Sequence, residues 1–125
     1  MRVIDNSRLN KSELPGIEHQ TLAGAAQALC KLSVWRQSMA PGSATPVHQH
    51  DCEEVVLVLS GSGEVRANGT ATPFGPDTTL VLPPRVAHEI VNTGDSPLVT
   101  VAVFSATPVG TFTPNDERME LPWTS

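Results

Sequence analysis

The sequence predicts an all-β protein, folded as one antiparallel sandwich or small barrel. Its 125 residues include 11 prolines and 9 glycines, which recur as punctuation between short segments rich in branched aliphatic residues. No helical period is sustained over any stretch, and a chain of this length buries roughly two thirds of the surface that its unfolded form exposes. We therefore expect one core in a single domain that spans residues 1–125.

In chain order, the predicted strands follow a polar N-terminal arm at residues 1–18. A fragment of helical composition, "AGAAQAL" at 23–29, is too short to change the fold class. Residues 111–125 are polar and contain proline, so a C-terminal tail is expected there rather than a core strand. Strands are predicted over 30–39, 53–59, 63–67, 70–74, 79–82, 86–92 and 98–104.

Two of these segments carry a more specific signal. "EVRANGTATPF" predicts a hairpin that turns at Asn68 and Gly69, because both residues tolerate the positive φ of a type I′ turn. The nearly continuous aliphatic run Val55–Leu59 predicts a strand that is covered on both faces. In a domain this small, another subunit could cover the second face of this strand, so we expect a homodimer.

Composition excludes several classes of partner. The formal charge is -5, and only eight lysines and arginines are spread along the chain, so no basic patch is available for nucleic acid. The opening "MRVIDNSRLN" lacks the apolar segment of a secretory signal, and no aliphatic run approaches the length of a membrane span. We expect a cytoplasmic protein without a membrane partner, in which Cys30 and Cys52 are free thiols.

The stretch "HQHDCEE" places ionisable side chains at alternate positions just before an aliphatic strand. In an extended backbone His48, His50, Cys52 and Glu54 share one face. Two imidazoles and a carboxylate on one face are donors for a divalent transition metal, and they would be costly to bury without one. The segment "VAHEIVN" carries a third imidazole, His88, on another predicted strand.

The string from residue 42 to 61, "GSATPVHQHDCEEVVLVLSG", resembles the first motif of the cupin family, G-x5-H-x-H-x3-E-x6-G, at every fixed position. The second cupin motif is matched more loosely by Gly75, Pro83, His88 and Asn92, with Arg85 where the family often has glycine. The resemblance implies a jelly-roll barrel, also described as a double-stranded β-helix. It also implies one divalent transition metal per chain (Fe, Mn, Ni, Co or Zn), and it assigns as ligands His48, His50, Glu54 and His88.

Four protein ligands on an octahedral ion leave two positions open, which favours chemistry on a small chelating substrate. We expect a dioxygenase-type reaction. The catalytic candidate is Glu54, and general acid or base work would fall to Glu54 shifting off the metal, to metal-bound water or to a group of the substrate. A non-redox isomerase, decarboxylase or cyclase is the first alternative. A non-catalytic module that binds a small ligand or a metal is the second. The sequence contains no tyrosine, which disfavours cupin lyases with a tyrosyl base.

Several further side chains are candidates for contacts with the substrate. The guanidinium of Arg36 or Arg66 would clamp a carboxylate if it points into the barrel, whereas an arginine in solvent or in an ion pair is the simpler interpretation. Cys52 either lies beside the metal or is a small buried hydrophobic residue. His19 matches no motif and is predicted at the surface or an interface. Trp123 is predicted to anchor the tail either on its own subunit or on a neighbouring one.

Overall fold

The all-β prediction is confirmed. In the computed structural model, which describes residues 1–125, the chain forms eleven short strands and two 3₁₀ turns, Asn6–Arg8 and Ala25–Gln27. The strands are β1 (Ser12–Leu14), β2 (Ile17–Ala23), β3 (Ser33–Met39), β4 (Gln49–His50), β5 (Glu54–Ser60), β6 (Gly63–Ala67), β7 (Thr70–Phe74), β8 (Thr78–Leu82), β9 (His88–Asn92), β10 (Leu98–Phe104) and β11 (Thr111–Phe112). No helix in the chain has the length and apolar character needed to cross a membrane.

The strands form two main antiparallel sheets and one short pair. The larger sheet has the order β1-β2-β3-β10-β5-β8, the smaller one is β7-β6-β9, and β11 pairs with β4. Alternate residues of the strands turn inward, as the period of two requires. Side chains from both main sheets, among them Trp35, Val56, Ile90 and Phe104, meet in one hydrophobic core. This is the jelly-roll arrangement, in one domain.

The β6–β7 hairpin turns where the sequence predicted. Ala67 pairs with Thr70, and the two residues between them have positive φ, 52° at Asn68 and 74° at Gly69. Both values suit a type I′ turn, whose twist matches that of the flanking strands. The short helical fragment of the sequence is only the 3₁₀ turn Ala25–Gln27.

The N-terminal arm is shorter than the sequence predicted. β1 and β2 form the edge of the six-stranded sheet, where Ile17 pairs with Met39 and His19 pairs with Gln37. Within β2, Ile17 and His19 are buried while Glu18 is exposed. The alternation is therefore present, but it is carried by polar residues as well as aliphatic ones, and a search for branched aliphatic residues does not detect it.

Arg85 adopts the backbone conformation that glycine favours at this point of the second cupin motif. Its φ is 61°, its guanidinium lies 5.4 Å from the centre of the Phe112 ring, and one of its nitrogens is 3.1 Å from Asp116 Oδ1. A left-handed conformation costs a residue with a Cβ roughly 1–2 kcal/mol. Exposed ion pairs and cation–π contacts contribute about as much, about 1 kcal/mol each.

We therefore predict that Arg85→Gly leaves the free energy of unfolding within about 1 kcal/mol of the wild type, because relief of the left-handed strain offsets the lost contacts. Arg85→Val should destabilise the protein clearly, since it loses the contacts and keeps the strain. Urea unfolding of the three proteins is the measurement. Strong destabilisation by Arg85→Gly would contradict this account and show that the contacts of Arg85 with the tail outweigh the strain.

Candidate metal and ligand site

The structure brings the three predicted histidines of the motifs together. His48 and His88 form an antiparallel bridge with backbone N–O distances of 3.0 and 2.8 Å, and His50 is the last residue of β4. One ring nitrogen from each of His48, His50 and His88 lies within 4.8 Å of the others. Pairing between two distant chain segments thus produces a cluster of imidazoles that could hold a metal ion.

Backbone carbonyls fix the orientation of all three rings. The Nδ1 atoms of His48, His50 and His88 lie 2.6, 3.0 and 2.9 Å from the carbonyl oxygens of Pro46, Gly110 and Val86. A carbonyl oxygen only accepts, so each Nδ1 carries the proton and donates it. The lone pair of each neutral ring is then on Nε2, which is the arrangement found for histidines that bind a metal.

Glu54, the first residue of β5, completes the cluster. Its Oε2 lies 3.5 Å from His50 Nε2 and 3.4 Å from His88 Nε2, and only 6% of the residue is exposed. These three atoms are buried without a hydrogen-bond partner. Unpaired buried acceptors and a buried carboxylate are costly, and a cation placed among them would pair all of them. The donor set therefore fits a divalent transition metal.

The protonation states also suit a metal. Burial, reinforced by the neighbouring histidines, lowers the pKa of His48 to about 4, and burial lowers the pKa of His50 as well. Burial opposes ionisation of Glu54, but its contacts with His88 and His50 outweigh this and hold its pKa below the usual value. For His88 the contact with Glu54 outweighs burial and raises the pKa. The site thus presents an ionised carboxylate beside two imidazoles, those of His48 and His50, that give up their protons readily.

Three members of the cluster, His48, His50 and Glu54, line a small cavity with mostly apolar walls. The centre of a water molecule can occupy about 50 Å³ of it, several times the space that one water requires. No lysine or arginine lines it, and Trp35 is buried there with its indole Nε1 unpaired. The remaining lining residues are Leu14, Ile17, Gln37, Thr45, Pro46, Val56, Ile90, Thr100, Ala102, Phe104, Thr111, Met119, Leu121 and Trp123.

The C-terminal tail supplies one wall of the cavity. Met119, Leu121 and Trp123 line it, and the hydroxyl of Thr111 lies 3.2 Å from His50 Nδ1. The sequence predicts a tail at 111–125 but assigns it no part in the site. The aromatic and aliphatic residues of "MELPW" are the only sequence signal for this role, since an exposed tail rarely has several large apolar residues in close succession.

Three side chains predicted to contact the substrate lie outside the cavity. Arg36 points from the outer face of its sheet and donates to Gln20 Oε1 at 2.5 Å, and exposed Arg66 pairs with Glu64 and Glu89. Cys52 is buried in the hydrophobic core, where burial raises its pKa to about 11. Strand alternation places the two arginine side chains on the outer faces of the sheets. Residues 51–53 form a bend between β4 and β5, so the side chain of Cys52 does not lie on the same face as His50 and Glu54.

The predicted surface position of His19 is wrong. Only 1% of the residue is exposed, and its ring stacks on Trp123 with centroids 3.7 Å apart. Gln37 Nε2 lies 3.0 Å from its Nδ1, its Nε2 lies 2.9 Å from Thr21 Oγ1, and that hydroxyl donates to the Thr124 carbonyl at 2.8 Å. Trp123 therefore anchors the tail on its own chain, as one of the two predicted alternatives had it.

We predict that His19 makes the metal-free protein sensitive to acid. Burial lowers its pKa from 6.5 to about 4, so its contribution to stability is complete above pH 6.5 and is lost as pH falls toward 4. Because solvent screening reduces the effect, the loss amounts to no more than about 3 kcal/mol. Urea unfolding at pH 7 and pH 4.5, with chelator present, should show a smaller pH dependence for His19→Gln than for the wild type. Equal pH dependence in both proteins would assign the acid sensitivity to other groups.

The fold and the site together define this protein as a small cupin whose histidine cluster opens into an apolar cavity. The auxin binding protein family matches this chain over residues 2–125, and the chain belongs to that family. Auxin-binding protein 1 of Arabidopsis thaliana is 36% identical over 108 residues, which cover 78% of this chain and 54% of that protein. Auxin-binding protein T85 of Nicotiana tabacum is 34% identical over 129 positions, which cover 88% and 69% of the two chains.

Solved structures support the same fold. The polyketide cyclase RemF from Streptomyces resistomycificus superposes with a TM-score of 0.75 over 99% of this chain and 89% of its own, at 17% identity. Identity this low shows the fold alone. Since the present chain spans about half to two thirds of the auxin-binding relatives above, the activity of those longer proteins is not transferred with the family.

Proposed function

We propose that the protein binds a small aromatic carboxylic acid of the auxin type, without turning it over, at a divalent transition metal held by His48, His50, Glu54 and His88. The observation that carries this proposal is an apolar cavity with no lysine or arginine in its wall, beside a cluster of unpaired metal donors. An anion that enters such a cavity has no cationic side chain to neutralise it.

A bound metal would supply that missing positive charge and open coordination positions for a carboxylate. The chain itself supplies the rest of the binding site. Trp35, Phe104 and Trp123 offer aromatic surface, and Ile17, Val56 and Ile90 offer aliphatic surface, which together suit a flat apolar ring. The unpaired Trp35 Nε1 and the side chain of Gln37 can donate hydrogen bonds to an acceptor on the ligand.

Calorimetric titration tests the proposal. Protein loaded with zinc, and the same protein treated with chelator, are each titrated with indole-3-acetic acid. We expect binding only to the metal-loaded protein, because only that form neutralises the carboxylate. Tryptamine, which keeps the indole and replaces the acid by an amine, is the matched control and should not bind. Equal affinity of both protein forms would show that the metal has no part in ligand binding.

The enzymatic alternatives use the same proposed centre. Besides the proposed metal ligands, the cavity is lined by no ionisable side chain, so a general acid or base would have to be Glu54 or one of the histidines. This favours binding over an isomerase, decarboxylase or cyclase. A dioxygenase-type reaction remains a prediction of the sequence, and consumption of dioxygen by iron-loaded protein with an aromatic substrate would support it over simple binding.

The expected homodimer is part of the proposal as well. A single copy of the chain encloses the cavity and supplies all four proposed metal ligands. Loss of the dimer should therefore leave metal and ligand binding in place, and the two properties can be tested separately.

A further inference from the structure

One row of polar side chains crosses the inward face of the six-stranded sheet. His19 of β2 pairs with Gln37 of β3, and Gln37 pairs in turn with Thr100 of β10. The neighbouring row is apolar and buried; it consists of Ile17, Met39 and Leu98. Gln37 and Thr100 line the cavity, whereas Met39 and Leu98 do not, so the polar row lies at one end of the cavity.

The polar row lies at a distance from the histidine cluster that suits an aromatic acid. Glu54 of the cluster pairs with Phe104, four residues along β10 from Thr100. Four residues of a strand span roughly 13 Å, of which the side chains of Glu54 and Gln37 and a metal ion cover a part. Trp35 lies between the two levels and offers aromatic surface. A ligand whose carboxylate is held at the cluster therefore extends its ring past Trp35 and presents the far edge of the ring to the polar row.

Hydrogen bonds to the C-terminal tail determine which atoms of the polar row donate and which accept. The carbonyl oxygen of Thr124 only accepts, so the Thr21 hydroxyl, 2.8 Å away, donates to it. Thr21 Oγ1 is then the acceptor for His19 Nε2, which lies 2.9 Å from it. Burial lowers the pKa of His19 to about 4, so the ring is neutral near pH 7. With the proton on Nε2, Nδ1 carries a lone pair and can only accept.

The lone pair on His19 Nδ1 fixes the orientation of the Gln37 amide. Only the nitrogen of an amide donates, and Gln37 Nε2 lies 3.0 Å from His19 Nδ1. Half a turn of the amide would instead bring Oε1 against Nδ1 and leave two acceptors in contact, which is costly in a buried setting. Besides the second hydrogen of Nε2, the free polar atom of this amide is therefore Oε1, which forms no hydrogen bond within the chain.

The other uncharged side-chain acceptors of the cavity wall are hydroxyls. Thr45 Oγ1 already accepts from the backbone N–H of Ile90, and Thr111 Oγ1 lies 3.2 Å from His50 Nδ1. The hydroxyl of Thr100 can rotate to donate or to accept, so it does not discriminate between ligand groups. Gln37 Oε1 can only accept, and it therefore favours a ligand that donates.

We propose that Gln37 Oε1 accepts a hydrogen bond from an N–H group on the ring of the ligand, and that His19 is a positioning residue that holds the Gln37 amide in the required orientation. This inference rests on the proposed function, since the metal has to hold the carboxylate of the ligand. It narrows the ligand to aromatic acids whose ring carries a donor on the edge away from the acid, as indole acids do. The tail then sets the polarity of the amide, because the Thr124 carbonyl determines which nitrogen of His19 carries the proton.

Calorimetric titration of the zinc-loaded protein with two acids of the same shape tests this proposal. Indole-3-acetic acid carries a ring N–H where benzofuran-3-acetic acid carries a ring oxygen. We expect the indole acid to bind about 10-fold more tightly, because the benzofuran oxygen would face Gln37 Oε1 without a proton between them. Gln37→Leu should reduce this ratio to about 1. Gln20→Leu is the matched control: Gln20 lies on the outer face of β2, donates to the carbonyls of Asn6 and Leu9, and should leave the ratio unchanged.

Two variants of His19 distinguish positioning from packing. His19→Phe keeps an aromatic ring for the stack on Trp123 but has no acceptor, so the Gln37 amide is free to turn and the ratio should fall towards 1. His19→Gln supplies an acceptor and a donor again, and should recover most of the ratio. A purely structural role of His19 would weaken both acids equally and leave the ratio as it is in the wild type.

Equal affinity of the wild type for the two acids would overturn the proposal. A ratio that survives in Gln37→Leu would do so too, and would assign the acceptor to Thr100, while a ratio that survives in His19→Phe would remove the positioning role. Failure of the proposed function looks different, since neither acid would then bind the zinc-loaded wild type more tightly than the chelator-treated one. Far-ultraviolet circular dichroism verifies folding, and if Gln37→Leu does not fold, Gln37→Met keeps the length of the side chain and gives the same comparison.

Discussion

Replacing His88 with alanine should reduce metal affinity by more than about 100-fold and remove ligand binding with it. Loss of a group that merely orients a metal ligand already costs 10-fold to 100-fold in affinity, and this substitution removes a ligand itself. It also leaves Glu54 with one imidazole fewer beside its buried carboxylate. Glu54→Gln, which keeps the shape of the side chain and removes its charge, should also reduce metal affinity and ligand binding.

The measurement is competition for zinc with a chromophoric chelator, followed by titration with indole-3-acetic acid. His19→Gln is the matched control, because His19 is the one histidine outside the cluster and should leave zinc affinity unchanged at pH 7. If His88→Ala binds zinc as tightly as the wild type, the proposed ligand set is wrong, whatever the outcome for the organic ligand.

Local periodicity predicts only one part of the cluster, the shared direction of His50 and Glu54. His50 ends β4 and Glu54 begins β5, so both side chains take their direction from regular strands. The three residues between them form a turn, and the same reasoning therefore failed for Cys52. The contact between His48 and His88 could be predicted only from the resemblance to the cupin family, because nothing in the two local sequences specifies which strands pair.

The wall of the cavity could not be predicted in this way. Trp123 reaches the site from a tail with little regular structure, and its position depends on contacts with His19 and Trp35, about 100 residues earlier in the chain. Similarly, the burial of His19 follows from side-chain contacts across two strands rather than from its own neighbours. Polar residues in a pattern of two are weak evidence for a strand until their partners are known.

Replacing Trp123 with alanine should have the second large effect, a loss of ligand affinity without loss of metal. The indole lines the cavity, stacks on His19 and meets Trp35 edge to face with centroids 5.6 Å apart. Its removal opens one wall to water and deletes contact area for an aromatic ligand. We expect affinity for indole-3-acetic acid to fall about 10-fold to 100-fold, and the free energy of unfolding to fall by about 2–3 kcal/mol.

Trp123→Phe distinguishes the effect of packing an aromatic ring at this position from the effect of the indole itself. The smaller ring can still stack on His19, so this variant should recover most of the stability and much of the ligand affinity. Zinc affinity should be unchanged in both variants, because the Trp123 ring forms its aromatic contacts with His19 and Trp35 and with none of the proposed ligands. Parallel loss of zinc and ligand would instead show that the tail positions the metal ligands, through the contacts of Gly110 and Thr111 with His50. The contrast with His88→Ala then distinguishes the two components of the site: the cluster that would hold the ion, and the tail that would hold the ring.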